Sequence, residues 1–200
     1  MLAQANPKMK IIISIRDPIA QVISFYQHDL QYGTLGRHVK LRFAIKPDLF
    51  YARYVEMVCY SKHLSRWLKY FPANQIFLFT NSPDPVLRQE RLNDLYLFLG
   101  AESYRPQCFD KRLNTRQTPL FPNWHRNSLM SENIFVRILT KLFNPVNLGL
   151  GKLFVPDSVS LEDKEALLDA FRLTEERKKI GDLISKEPFR GAVDFESWSI

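Results

Sequence analysis

At 200 residues, 46% hydrophobic and 13% aromatic, the chain is long and apolar enough for one domain with a buried core, which excludes a disordered polypeptide. A net charge of +7 and a pI near 9.4 favour an anionic partner, whether nucleotide, acidic glycan, nucleic acid or membrane surface. Two cysteines, Cys59 and Cys108, offer no CxxC or Cys/His spacing, so no metal is expected, and either a disulfide or two free thiols fits.

Taken in chain order, Met1 to Lys10 lacks the apolar region of a signal peptide, and no apolar run reaches the ~18 residues of a membrane span. A cytoplasmic protein without a membrane span is the expectation. Lys10 to Ile15 (KIIISI) has the length and β-branched content of a buried parallel strand. Asp17 then suits a helix N-cap and Pro18 the first helical position. Ile19, Val22, Ile23, Tyr26 and Leu30 recur at helical spacing up to a stop at Gly33. Tyr32 to Pro47 reads as a basic, irregular loop with Arg37, His38, Lys40 and Arg42, a solvated loop or a surface for an acidic glycan.

Asp48 is expected to cap a long helix to about Phe71, before Pro72. Gln75 to Thr80 (QIFLFT) is the second strand, followed by NSPDP and a helix through Leu92, Leu95, Tyr96 and Leu99 that Gly100 ends. Beyond Ala101 the pattern weakens. Ser131 to Phe143 reads as a short amphipathic helix, Ser160 and Asp163 as a capping box, and Glu175 to Ile184 as a charged helix before a tail with Trp198. Two strands each followed by a helix predict an α/β fold, a partial three-layer parallel sheet with helices on both faces and a helix-rich C-terminal part. Two strands alone make a weak sheet, so either unread segments supply more or part of the domain is absent.

Chemistry concentrates in IRDPIAQVISFYQH, residues 15–28. Arg16 stands at the carboxyl end of a strand, where open α/β sheets bind ligands, and its planar fork suits phosphate. Ser24 lies six residues past Pro18, about 9 Å along the helix axis. One anion reaches both only beside the first two turns, not at the helix tip. The alternative is an Arg16 paired with a local carboxylate and a Ser24 on an ordinary helix surface.

An apolar strand, Arg-Asp-Pro, a Ser eight residues after the Arg and an aromatic two further on resemble the 3′-phosphate motif of sulfotransferases that use 3′-phosphoadenylyl sulfate (PAPS). CYSKHLSRWLKYFPANQIFLF and LNDLYLFLGA are similar to the helix–strand passage and next helix of that family, so the resemblance covers roughly residues 9 to 100, and weakly 160 to 198. It implies a P-loop-like fold, Arg16 and Ser24 on the 3′-phosphate of PAPS or its product PAP, and sulfuryl transfer to an acceptor hydroxyl or amine, with an acidic or carbohydrate acceptor in view. Arg116, in Asn-Thr-Arg-Gln-Thr-Pro (114–119), falls on the Arg of a basic nucleotide-closing loop in family members, though Thr115 replaces its Gly and Asn114 its Lys.

The family's Lys- and Gly-bearing loop for the 5′-phosphosulfate is not found: glycines 33, 36, 100, 149, 151, 181 and 191 form no GxxxxGK. The expectation is a single sulfotransferase domain, 1–200, truncated at its N-terminus, that assigns no catalytic residue and is inactive alone. A catalytically inactive nucleotide-binding remnant or interaction module is the alternative. His28, on the Ser24 face, is more readily structural than catalytic. Nucleic acid is not an expected partner, because no aromatic residues interleave with the basic ones and no helix-turn-helix signature is present.

Overall fold

The computed structural model describes residues 2–36, 38–47, 51–82, 84–107, 109, 121, 131–154, 159–171, 173–196 and 198. The elements run α1 (Leu2–Ala5), β1 (Ile11–Ile15), α2 (Pro18–Gln31), α3 (Leu41–Ala44) and α4 (Tyr51–Tyr54). They continue with α5 (Tyr60–Leu68), β2 (Ile76–Thr80), α6 (Pro85–Leu99), α7 (Ile134–Phe154), α8 (Leu161–Phe171) and α9 (Leu173–Lys186). Single turns of tighter helix cover Glu56–Val58 and Ala73–Gln75. Two compact units form, one from Met1–Gln21, Val55–Lys111 and Leu168–Ile200, the other from Val22–Tyr54 and Arg112–Leu167.

In the first unit β1 and β2 pair in parallel, Ile11 opposite Ile76 through Ile15 opposite Thr80. Side chains alternate across a strand, so Ile13, Ile15 and Leu78 share one face. That face packs with Leu64 of α5, Ile180 of α9 and the buried Trp198. On the other face Phe77 meets Phe98 of α6, ring centroids 5.3 Å apart. The chain is therefore α/β with a small parallel sheet.

A third segment supports β2. The Leu78 N–H donates to the Arg190 carbonyl at 2.8 Å and the Thr80 N–H to that of Ala192 at 3.2 Å, while the Arg190 N–H donates to the Ile76 carbonyl at 3.1 Å. This tail is the extra backbone partner that a two-strand reading lacked. It passes through Gly191 at φ +94°, where a Cβ would stand 2.3 Å from the Leu78 carbonyl oxygen. Only glycine fits that contact without displacement.

Most boundaries follow their sequence signals. Asp84 caps α6 by accepting from the Val86 N–H at 2.8 Å, Pro85 takes the first position, and Gly100 ends the helix at φ +78°. Ser160 and Asp163 form the expected reciprocal box: the Asp163 N–H donates to Ser160 Oγ at 3.1 Å and the Ser160 N–H to Asp163 Oδ2 at 3.4 Å. The long helix expected from Asp48 to Phe71 is a correction. Asp48 lies outside the described residues, and the chain forms α4, one tight turn and α5, broken at Cys59 with φ −74° and ψ 69°. The helix expected over 131–143 runs instead through Pro145 to Phe154.

In the second unit Asp29 of α2 is buried and accepts from Arg53 Nε at 2.7 Å, Arg53 Nη2 at 2.5 Å and the Tyr54 hydroxyl at 2.6 Å. Arg42 is held there too, 2.8 Å from Glu162 and 3.4 Å from Asp163. It is thus an ion-paired side chain on the short helix α3 rather than a free charge on a loop. Arg37 lies outside the described residues.

Candidate functional site

The two strands end differently. At the carboxyl end of β2, Arg91 of α6 donates to the Thr80 carbonyl, and the Asp194 N–H donates to Thr80 Oγ1 at 3.0 Å. Thr80 is buried beneath them. At the carboxyl end of β1 the next residue, Arg16, is exposed and forms no ion pair among the described residues. The reading in which Arg16 serves a local carboxylate therefore finds no partner among them.

Asp17 closes the tip of α2. It is buried, and its Oδ1 accepts from the Ile19 N–H at 3.0 Å. One of the unpaired helix-end donors is consumed, and a carboxylate stands where an anion would otherwise approach. A second anion is disfavoured at the tip, which leaves the flank of α2. Ser24, the seventh residue of that helix and so in its second turn, is exposed. Arg116 lies outside the described residues.

Tyr60, at the start of α5, was not singled out from the sequence. Burial pushes its hydroxyl up to about 12, the charges of Asp17 and Glu176 act in the same direction, and the Arg16 backbone and guanidinium oppose them. It is a neutral hydroxyl at physiological pH, in the electrostatic field of Arg16. The neighbouring Ser61 is fixed by Glu176 of α9, whose carboxylate accepts from the Ser61 N–H at 2.6 Å and from its hydroxyl at 2.9 Å. No local signal announces this cap, because donor and acceptor are 115 residues apart.

His28 is exposed, 3.8 Å from Asp29 Oδ1, with its ring 4.5 Å from that of Tyr32. Those contacts fit a structural histidine. Among the described residues no cluster of His, Cys, Asp and Glu has the makeup of a metal site, and no helix is long and apolar enough to cross a membrane.

Residues 2–81, which hold β1, α2 and β2, match the sulfotransferase domain family. The chain is similar to heparan sulfate glucosamine 3-O-sulfotransferase 6 of Mus musculus and of Homo sapiens, 30% identical over 125 residues in each case. The aligned part is 58% of this chain and 34% of each relative, so the chain spans about a third of the length of the curated relatives it matches. No solved structure matches the chain significantly.

Proposed function

We propose that this chain binds the 3′-phosphate of PAPS or PAP beside the first turns of α2, with Arg16 and Ser24 as its ligands. The carrying observation is the exposed Arg16 with no ion-pair partner among the described residues, next to a helix tip already taken by Asp17. A guanidinium offers two parallel donors to a phosphate, and the Ser24 hydroxyl donates from the flank. Arg116 extends the same reading as a further nucleotide contact. The complete P-loop-like three-layer fold belongs to this proposal as well.

The activity served is transfer of a sulfuryl group from PAPS to an acceptor hydroxyl or amine. PAPS, when bound, supplies that group; the residues named here hold and orient the nucleotide. The names of the two relatives make a glucosamine-containing, acidic glycan the leading acceptor class. A second reading, nucleotide binding without turnover, is favoured by the lack of any GxxxxGK loop in the 200 residues.

Thermal melts with PAP test the binding claim. At a hundredfold excess over Kd the wild-type midpoint rises by about 5 °C or more. Arg16→Ala abolishes the rise and Ser24→Ala reduces it. An unshifted wild-type melt sinks the nucleotide site. Incubating the purified chain with PAPS and a glucosamine-containing oligosaccharide separates the two readings: sulfated product supports transfer, and none supports binding alone.

A further inference from the structure

A cavity of about 620 Å³ opens within the first unit, at the other end of the sheet from Arg16. Lys10 directly precedes β1 and Gln75 directly precedes β2, so both mark the amino ends of the strands. Phe98, in the last turn of α6, and Arg190, in the tail beside β2, form other walls. β1 is about 16 Å long at ~3.3 Å per residue, which sets this cavity apart from the phosphate site. Its volume is in the usual range for small-molecule pockets.

The lining has three kinds of capacity. Buried Phe77 and half-buried Phe98 make an apolar wall, their rings tilted at 39° to each other. Lys10 is already engaged: its Nζ donates to the Phe98 carbonyl at 2.6 Å. Lys8 and Arg190 are exposed and make no ion pair among the described residues, so both are available to an anion. The third capacity is for a donor. Gln75 Nε2 donates to the Pro7 carbonyl at 3.2 Å, which fixes the orientation of the amide and leaves Oε1 buried with no partner. A buried acceptor without a donor costs about 1–3 kcal/mol. The Asp94 carboxylate lines the same cavity and adds a second acceptor.

We propose that this cavity is a second binding site, for a small aromatic anion that also carries an O–H or N–H donor. Arg190 and Lys8 hold the anionic group, Phe77 and Phe98 take the ring, and the donor satisfies Gln75 Oε1. Asp94 repels the anionic end and so fixes which way the ligand lies. The site stands independently of the nucleotide reading, because none of its residues belongs to the Arg16 end.

The test uses a hydroxynaphthalenesulfonate as probe, titrated calorimetrically into the full chain at low salt. Arg190→Gln and Phe98→Leu each weaken binding by about tenfold or more. Naphthalenesulfonate without the hydroxyl binds several-fold less tightly, and Arg16→Ala leaves the affinity unchanged. Melting curves check that each variant is folded; Lys8→Gln replaces Phe98→Leu if that variant is not. The proposal is overturned if Arg190→Gln binds the probe as well as wild type. It is equally overturned if Arg16→Ala weakens the probe as much as Arg190→Gln does, or if inorganic sulfate binds as tightly as the ring-bearing anion.

Discussion

Asp29 shows how a single buried carboxylate ties the stability of the second unit to pH. Burial alone pushes its pKa up, but the hydrogen bonds from Arg53 and Tyr54, with the charges of Arg53 and His28, prevail and hold it below the ordinary carboxylate value. Asp163 is lowered in the same way: burial raises it, while the Arg42 and Ser160 donors outweigh that rise. A depressed folded-state pKa contributes stability that is present above the unfolded value and lost as pH falls through the folded one. Both groups therefore favour the folded unit at neutral pH and release it in acid. Asp29→Asn is expected to cost about 2 kcal/mol near pH 7. Urea melts across a pH series should show the two proteins converging below the usual carboxylate range. A constant difference at every pH would remove Asp29 from this role. Arg16 is the contrasting case, a cation left to solvent where Arg53 has been given a partner.

Elements in this chain divide between those with local causes and those with distant ones. Asp84-Pro85, Gly100 and the Ser160–Asp163 box were legible because the residues that satisfy each helix end lie within a few positions of it. The strand–Arg-Asp-Pro–helix unit was legible for the same reason, and with it the candidate phosphate ligands. The break at Cys59 was not, since helical spacing of apolar residues continues through a stretch that long-range partners divide. Nor was the tail beside β2 visible, because Arg190 and Ala192 pair through backbone groups that any residue carries. Gly191 was the one sequence trace of it. Gly191→Ala is expected to cost about 2 kcal/mol or more, from the unfavourable φ together with the 2.3 Å approach to the Leu78 carbonyl. A shift in urea midpoint and faster amide exchange at Leu78 and Thr80 would register it, whereas an unchanged midpoint would mean that the tail contributes nothing.

At the scale of the molecule, apolar surface outruns what the described residues cover. Along α7, Ile134, Phe135, Ile138, Leu139, Leu142 and Phe143 are all exposed, with Phe135 at 73%. Contiguous apolar surface of this kind drives association. The chain is expected to sediment as larger species at rising concentration, and Phe135→Glu with Leu142→Glu to reverse the trend; a concentration-independent monomer would count against it. The pairing of β2 also carries a consequence for synthesis. Thr80 meets Asp194 across 114 residues. At roughly 5–20 residues per second, β2 leaves the ribosome on the order of ten seconds before its tail partner exists. Throughout that interval one edge of the strand is unpaired on the nascent chain, so the sheet of the first unit is finished only after the whole of the second unit has been translated.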